Sequence, residues 1–140
     1  MVKIVYWSGT GNTESMANML ADSLKEIGNS AELFNISNID KDELLKDSVF
    51  VLGCPSMGSE ELEESEMEPF VESIEGSLSG KKIALFGSYG WGTGEWMENW
   101  SERMTNAGAT VLGTVICNES PSDEEKNELK ELANKIISEL

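Results

Sequence analysis

Apolar residues along the chain switch between two spacings. Val2-Lys3-Ile4-Val5-Tyr6-Trp7 is short, β-branched and aromatic, as a strand is. It runs into the turn-rich cluster Ser8-Gly9-Thr10-Gly11-Asn12-Thr13. Met16, Met19, Leu20, Leu24 and Ile27 then recur at spacings of three and four, which predicts a helix stopped by Gly28 and Asn29. Ala31–Ile36 reads as a second strand, less apolar and therefore at a sheet edge. A short acidic helix is expected over Ile39–Leu45. Ser48–Gly53 and Lys82–Gly87 are apolar without alternation, the pattern of strands covered on both faces. Between them lie an irregular acidic stretch, Cys54–Glu68, and a helix near Glu68–Glu75 with Pro69 in its first turn. Trp96, Met97, Trp100 and Met104 trace one face of a further helix. Thr110–Cys117 is the last strand. A terminal helix starts near Pro121–Glu124, capped by Ser122 or Asp123, with the stripe Leu129, Leu132, Ala133, Ile136 and Ile137.

Five strands alternating with five helical segments predict parallel strands joined by right-handed crossovers. The fold class is a three-layer α/β sandwich, expected as one domain over residues 1–140.

Charge narrows the function. Ten cationic residues face 26 acidic ones, a net charge of −16, and histidine is absent. A nucleic-acid grip built on a basic patch is excluded, as are His-dependent triads, His metal sites and His pH switches. No apolar run approaches the ~18 residues of a membrane span, and residues 1–7 lack the pattern of a signal peptide. A cytoplasmic protein is expected, with no membrane partner and no metal. Cys54 and Cys117 lie far apart without metal-ligand spacing and read as two small buried residues.

In parallel α/β sheets, ligands bind beyond the carboxyl ends of the strands, and three loops there are unusual. Ser8-Gly9-Thr10-Gly11-Asn12-Thr13 offers hydroxyls, an amide and backbone N–H groups at the start of a helix, which favours an anion. It holds no Lys or Arg and lacks both the Walker ending and the GxGxxG spacing, so a single phosphate held by neutral donors fits best. An ordinary turn capped by Thr10 or Thr13 is the alternative. Pro55-Ser56-Met57-Gly58-Ser59-Glu60 brings a polarizable thioether and a glycine suited to positive φ. It opens a run of acids, Glu60, Glu61, Glu63, Glu64, Glu66 and Glu68, most of which read as solvated. Gly87-Ser88-Tyr89-Gly90-Trp91-Gly92 holds an aromatic between glycines, more apt to stack on a planar ligand than to fill a core. Trp96 reads as core. Together the loops suggest a phosphorylated flat heterocycle.

The segments Val5–Thr13, Leu52–Glu60 and Ala84–Gly92 make the chain resemble the flavodoxins, specifically the short-chain type of anaerobic bacteria. Thr110–Cys117 runs without the insertion that long-chain relatives carry in the fifth strand. The resemblance implies the strand order 2-1-3-4-5 and one non-covalent FMN at the switch between strands one and three. It places the phosphate on Ser8, Gly9, Thr10, Gly11, Asn12 and Thr13. It places Met57 and Trp91 on the two faces of the isoalloxazine, and Glu60 as acceptor from the ring N3–H. Pro55, Ser56, Gly58 and Ser59 complete the second loop, and Ser88, Tyr89, Gly90 and Gly92 the third. Asn118 meets the ribityl chain or ring edge, with Glu119 close by. Ser56 stands where an alanine is often seen. In the family, the peptide after Met57 turns over on one-electron reduction.

The function so implied is low-potential electron transfer between redox enzymes, without a substrate of its own. The acidity favours weak, salt-sensitive encounters with basic docking patches, such as those of ferredoxin-type reductases, pyruvate oxidoreductase, hydrogenase or nitrogenase systems. A monomer is expected. The alternative is an FMN-dependent quinone or nitro reductase on the same fold, which usually needs added segments. A signalling receiver domain needs aspartates after the first strand and a Lys after the fifth. Ser8-Gly9 and Asn118-Glu119 stand there instead.

Overall fold

The computed structural model describes residues 1–140. The strands are β1 (Val2–Tyr6), β2 (Ala31–Asn35), β3 (Val49–Gly53), β4 (Lys82–Tyr89) and β5 (Thr110–Asn118). They pair in parallel in the order β2-β1-β3-β4-β5. The helices are α1 (Asn12–Glu26), α2 (Lys41–Leu44), α3 (Met67–Ile74), α4 (Glu95–Asn106) and α5 (Asp123–Ser138).

Strand alternation divides the core between the two faces of the sheet. Val49, Val51, Ala84 and Phe86 pack with Met16, Leu20 and Leu24 of α1 and Leu129, Leu132 and Ile136 of α5. Phe50, Leu52, Ile83 and Leu85 pack with Met67, Val71 and Ile74 of α3 and Trp96, Trp100 and Met104 of α4. The central strand β3 is buried along its whole length, as its unbroken apolar run predicts, and β2 lies at the edge. No helix is long and apolar enough to cross a membrane.

Two boundaries differ from the sequence reading. The helix expected over Ile39–Leu45 is the shorter α2, Lys41–Leu44, and a 3-10 turn at Ile36–Asn38 precedes it. An Asx side chain starts each: Ser37 N donates to Asn35 Oδ1 at 3.1 Å and Asp42 N to Asp40 Oδ1 at 2.9 Å. β4 and β5 pair further than expected, through Ser88–Cys117 and Tyr89–Asn118. Ser88, Tyr89 and Asn118, expected beyond the strand ends, therefore belong to the strands.

Cys54 belongs to the α3–α4 layer and Cys117 to the α1–α5 layer, so the sheet stands between two free, buried thiols. Burial pushes the Cys54 thiol up to about 12 and that of Cys117 to about 11.

Candidate functional site

The carboxyl ends of four strands meet around a cavity of about 300 Å³. Trp7, Gly9, Thr10 and Asn12 line it from the segment between β1 and α1. Pro55, Ser56 and Met57 follow β3, Ser88, Tyr89 and Gly90 close β4, and Glu119 follows β5. A larger, shallower depression of about 590 Å³ lies between α3 and α4, around Arg103 and Glu102. It is away from the strand ends, where the switch in strand order opens a crevice.

The β1–α1 loop is built as an anion cradle. Gly11 takes the left-handed conformation as N-cap, with φ 98°, and no side chain of its own caps α1. Neither Thr10 nor Thr13 serves as cap. Ser8 Oγ accepts from Gly11 N at 3.2 Å and Glu14 N at 3.3 Å. The amides of Gly9, Thr10, Asn12 and Thr13 find no acceptor within the protein. Unbonded amides at the positive end of a 15-residue helix are a site for a phosphate oxygen. No Lys or Arg lines the cavity; its one charged wall is Glu119.

Thr13 is set apart from its neighbours. It is buried, and its Oγ1 lies 2.9 Å from Ser88 Oγ on β4. The pair ties the cradle to the third loop. One hydroxyl carries one proton, so Thr13 donates outward only when Ser88 donates to it.

The second loop is a tight hairpin. Met57 N donates to Glu61 O and Glu61 N to Met57 O, both at 2.8 Å. Gly58 at its tip has φ 54°, the left-handed region the sequence anticipated for it. Glu60, with φ 56°, turns its carboxylate to the start of α4. Oε1 accepts from Thr93 N at 2.9 Å and Oε2 from Trp96 N at 3.3 Å. These bonds, the Thr93 amide foremost, hold its carboxyl below the usual range. Trp91 is 65% exposed on the third loop, clear of the core. Trp96 is buried against Tyr89, with ring centroids 5.4 Å apart.

The cavity thus gathers Gly9, Thr10, Asn12, Pro55, Ser56, Met57, Ser88, Tyr89, Gly90 and Glu119 from the expected set. Ser8, Gly11 and Thr13 do not line it. Gly58, Ser59, Glu60, Trp91, Gly92 and Asn118 also lie outside the lining. Two contributors were missed. Trp7 lines the cavity, packs over Gly9 and donates from Nε1 to Glu66 Oε1 at 3.3 Å. An aromatic residue immediately before the turn cluster was the available signal. Glu63 is the buried member of the acid run. It accepts from Ser65 N at 2.7 Å, Glu66 N at 2.8 Å, Met67 N at 3.0 Å and the Ser65 hydroxyl, and so starts α3. Desolvation alone would raise its pKa, but these donors outweigh it and hold the carboxyl below the ordinary value.

A doubly wound sheet with a cation-free anion cradle beside an apolar slot defines a mononucleotide-binding protein of the flavodoxin-like class. Comparison with known proteins narrows this. The family model described as Flavodoxin matches residues 4–132. The flavodoxin of Megasphaera elsdenii is 52% identical over 136 residues, covering 96% of this chain and 99% of that protein. That of Clostridium beijerinckii is 49% identical over 137 residues, covering 98% and 99%. The solution structure of two-electron reduced Megasphaera elsdenii flavodoxin superimposes with a TM-score of 0.88 at 51% identity, over 96% of this chain and 99% of that one. The chain belongs to the flavodoxin family, in its short-chain form. Its cofactor is FMN, and it is an electron carrier and not an enzyme with a substrate of its own.

Proposed function

We propose that the cavity at the strand ends is the FMN site and that the chain moves electrons at low potential between redox enzymes. The observation that carries this reading is the cradle: four unbonded amides and the Thr10 hydroxyl, with no cation, beside an apolar slot. Gly9, Thr10, Asn12 and Thr13 would hold the phosphate, and Ser8 holds the loop in shape through Gly11 and Glu14. Met57, Tyr89 and Trp91 would bound the ring, and Ser56, Ser88 and Glu119 would meet the chain between ring and phosphate.

Bound FMN supplies a ring that accepts and returns one or two electrons. The residues bind it, exclude water from its faces and set what charge surrounds it. Met57 and Trp91 are exposed, so a partner that docks on them would meet the ring without rearranging the core. A net charge of −16 selects partners with basic patches, of the reductase, pyruvate oxidoreductase, hydrogenase or nitrogenase kinds. A monomer in the cytoplasm fits this traffic.

The test is stepwise dithionite reduction of FMN-loaded protein followed by visible spectroscopy. Two electrons per chain taken up in separated steps are expected. Turnover of NADPH with a quinone, without another reductase, would reverse the reading.

A further inference from the structure

β5 is the outer strand on one side of the sheet, and its free edge is open. Sheets usually blunt such edges with short strands, charges, prolines or a covering segment. β2, at the other edge, is five residues long and carries Glu32. β5 is nine residues long, from Thr110 to Asn118, with no charged residue and no proline. Just past it, Glu119 N donates to Tyr89 O of β4 at 2.8 Å. Alternation along the strand then turns the N–H and C=O groups of Gly113, Val115 and Cys117 toward β4 and those of Thr114, Ile116 and Asn118 away from the sheet. Beside that edge lies a groove of about 480 Å³, lined by Thr114 and Ile116 of the strand and by Met97, Glu98, Ser101 and Glu102 of α4. Glu98 and Glu102 are exposed, and no cation pairs with either.

We propose that this edge accepts an extended segment of a basic partner protein, which adds to the sheet as a sixth strand. The open edge supplies the main-chain pairing, and α4 supplies the charge that selects the segment. Glu98 and Glu102 are four residues apart, about 6 Å along α4, and every second residue of a strand advances about 6.7 Å. Two basic residues separated by one position on the incoming segment therefore match the two carboxylates. A second copy of this chain would bring the same carboxylates and a net charge of −16 to the pairing, so like charge opposes it. Glu119, which follows β5, lines the cavity at the strand ends, and Thr93 and Gly94, from the loop that carries Trp91, line the groove. A segment seated on β5 thus brings its protein to the end of the sheet where the ring would lie. That last consequence rests on the FMN site proposed above; the strand pairing does not.

The experiment uses the full chain loaded with FMN and the synthetic peptide acetyl-Thr-Lys-Val-Lys-Thr-Lys-Val-amide. Amide hydrogen exchange should show Thr114 and Ile116 exchanging freely in the chain alone and protected in excess peptide. The fully N-methylated peptide, with the same charge and no backbone donors, should protect neither. Thr114→Pro removes an outward N–H and no bond to β4, a change that edge strands tolerate. It should weaken the peptide about tenfold and leave FMN affinity unchanged. Glu98→Gln combined with Glu102→Gln leaves the backbone edge intact and should weaken the peptide about fivefold at low salt. Both amides unprotected in excess peptide would overturn the proposal, as would equal binding of the N-methylated peptide or unchanged affinity in both variants. So would a dimer of the chain alone with the same two amides protected, because the edge would then belong to a second copy. A chain that takes up no FMN yet shows the peptide-dependent protection would overturn the FMN site and uphold the strand pairing.

Discussion

Thr10 and Thr13 occupy one loop, and the structure gives them separable tasks. Thr10 lines the cavity and its hydroxyl has no partner in the protein, whereas Thr13 is buried and paired with Ser88 at 2.9 Å. Thr10→Ala removes one donor to an anion and nothing else. Hydrogen bonds to charged groups contribute about 1.5–3 kcal/mol, so the FMN dissociation constant should rise ~10- to ~100-fold. Riboflavin, without the phosphate, should bind as before, and the urea midpoint of the cofactor-free protein should stay put. Thr13→Ala also strands the Ser88 hydroxyl and leaves a buried methyl's volume empty. A lost neutral hydrogen bond costs about 1 kcal/mol and a buried methyl group about 0.8 kcal/mol. With a slope near 2 kcal/mol/M, the urea midpoint should fall by roughly 1 M. Fluorescence titration with both ligands and urea unfolding of each variant decide the matter. Equal weakening of FMN and riboflavin by Thr10→Ala would refute the phosphate cradle. An unmoved midpoint for Thr13→Ala would refute the buried hydroxyl pair.

Glu63→Gln should cost about 1.5–3 kcal/mol of stability at neutral pH, because an acceptor of charge-assisted bonds becomes half donor. Glu63 has a depressed folded pKa, so its contribution is complete above the unfolded value near 4.3 and fades as pH falls through the folded value. Urea unfolding from pH 7 to 3 should therefore show a shallower acid loss in Glu63→Gln, and parallel curves would contradict this. Both cysteines should react with a thiol reagent in unfolded, unreduced protein and resist it at pH 8 when folded, since burial keeps them protonated. A mass shift of only one adduct, or none, in the unfolded chain would be evidence against two free thiols. Trp100 Nε1 is buried without a partner. An orphaned donor costs about 1–3 kcal/mol, which offsets the area lost in Trp100→Phe, so that variant should unfold within about 1 kcal/mol of the parent. A deficit of 3 kcal/mol or more in urea would show that the indole N–H is satisfied after all.

Apolar periodicity carried most of the fold, because strand and helix faces are local patterns that burial makes visible. The unbroken apolar run in Ser48–Gly53 and the stripe from Trp96 to Met104 report their layers directly. Polar partnerships are not local. Nothing within a few residues of Thr13 announces Ser88, 75 residues on, nor does the acid run reveal which glutamate folds inward. Glu63 differs from Glu61 and Glu64 only in facing the start of α3, a matter of where the hairpin returns the chain. The short acidic helix after β2 was legible, but its starting residue was not, for a related reason. The sequence reading places it over Ile39–Leu45, and the Asp40 side chain, which accepts from Asp42 N, sets its first residue at Lys41. The motif loops were conspicuous because their glycines and hydroxyls are consecutive in the sequence.

The distribution of charge adds a last consequence. The cations that are paired lie far from the cavity. Lys3 meets Asp47 at 3.2 Å, Lys81 donates to the carbonyls of Leu45 and Asp47, and Lys82 meets Glu139 at 2.5 Å, all toward the amino ends of the strands. Arg103 is held between Glu68 and Glu75, with Nη2 2.7 Å from Glu68 Oε2. The carboxyl ends, where the phosphate would sit, are left to amides, hydroxyls and an uncompensated excess of acids. A phosphate bound by ion pairs weakens with salt; one bound by dipoles within a negative field should do the reverse. A carboxylate at ~12 Å repels a unit charge by about 0.5 kcal/mol at an effective dielectric of ~60. A few such groups acting on a phosphate that carries nearly two charges amount to roughly 3–4 kcal/mol. Raising sodium chloride from ~10 to ~150 mM shortens the screening length from about 30 to about 8 Å and removes close to half of it. FMN should then bind about tenfold more tightly at the higher salt, and riboflavin almost equally at both. FMN affinity that falls with added sodium chloride would mean that a Lys or Arg reaches the phosphate, and that the cradle is not the cation-free site its lining indicates.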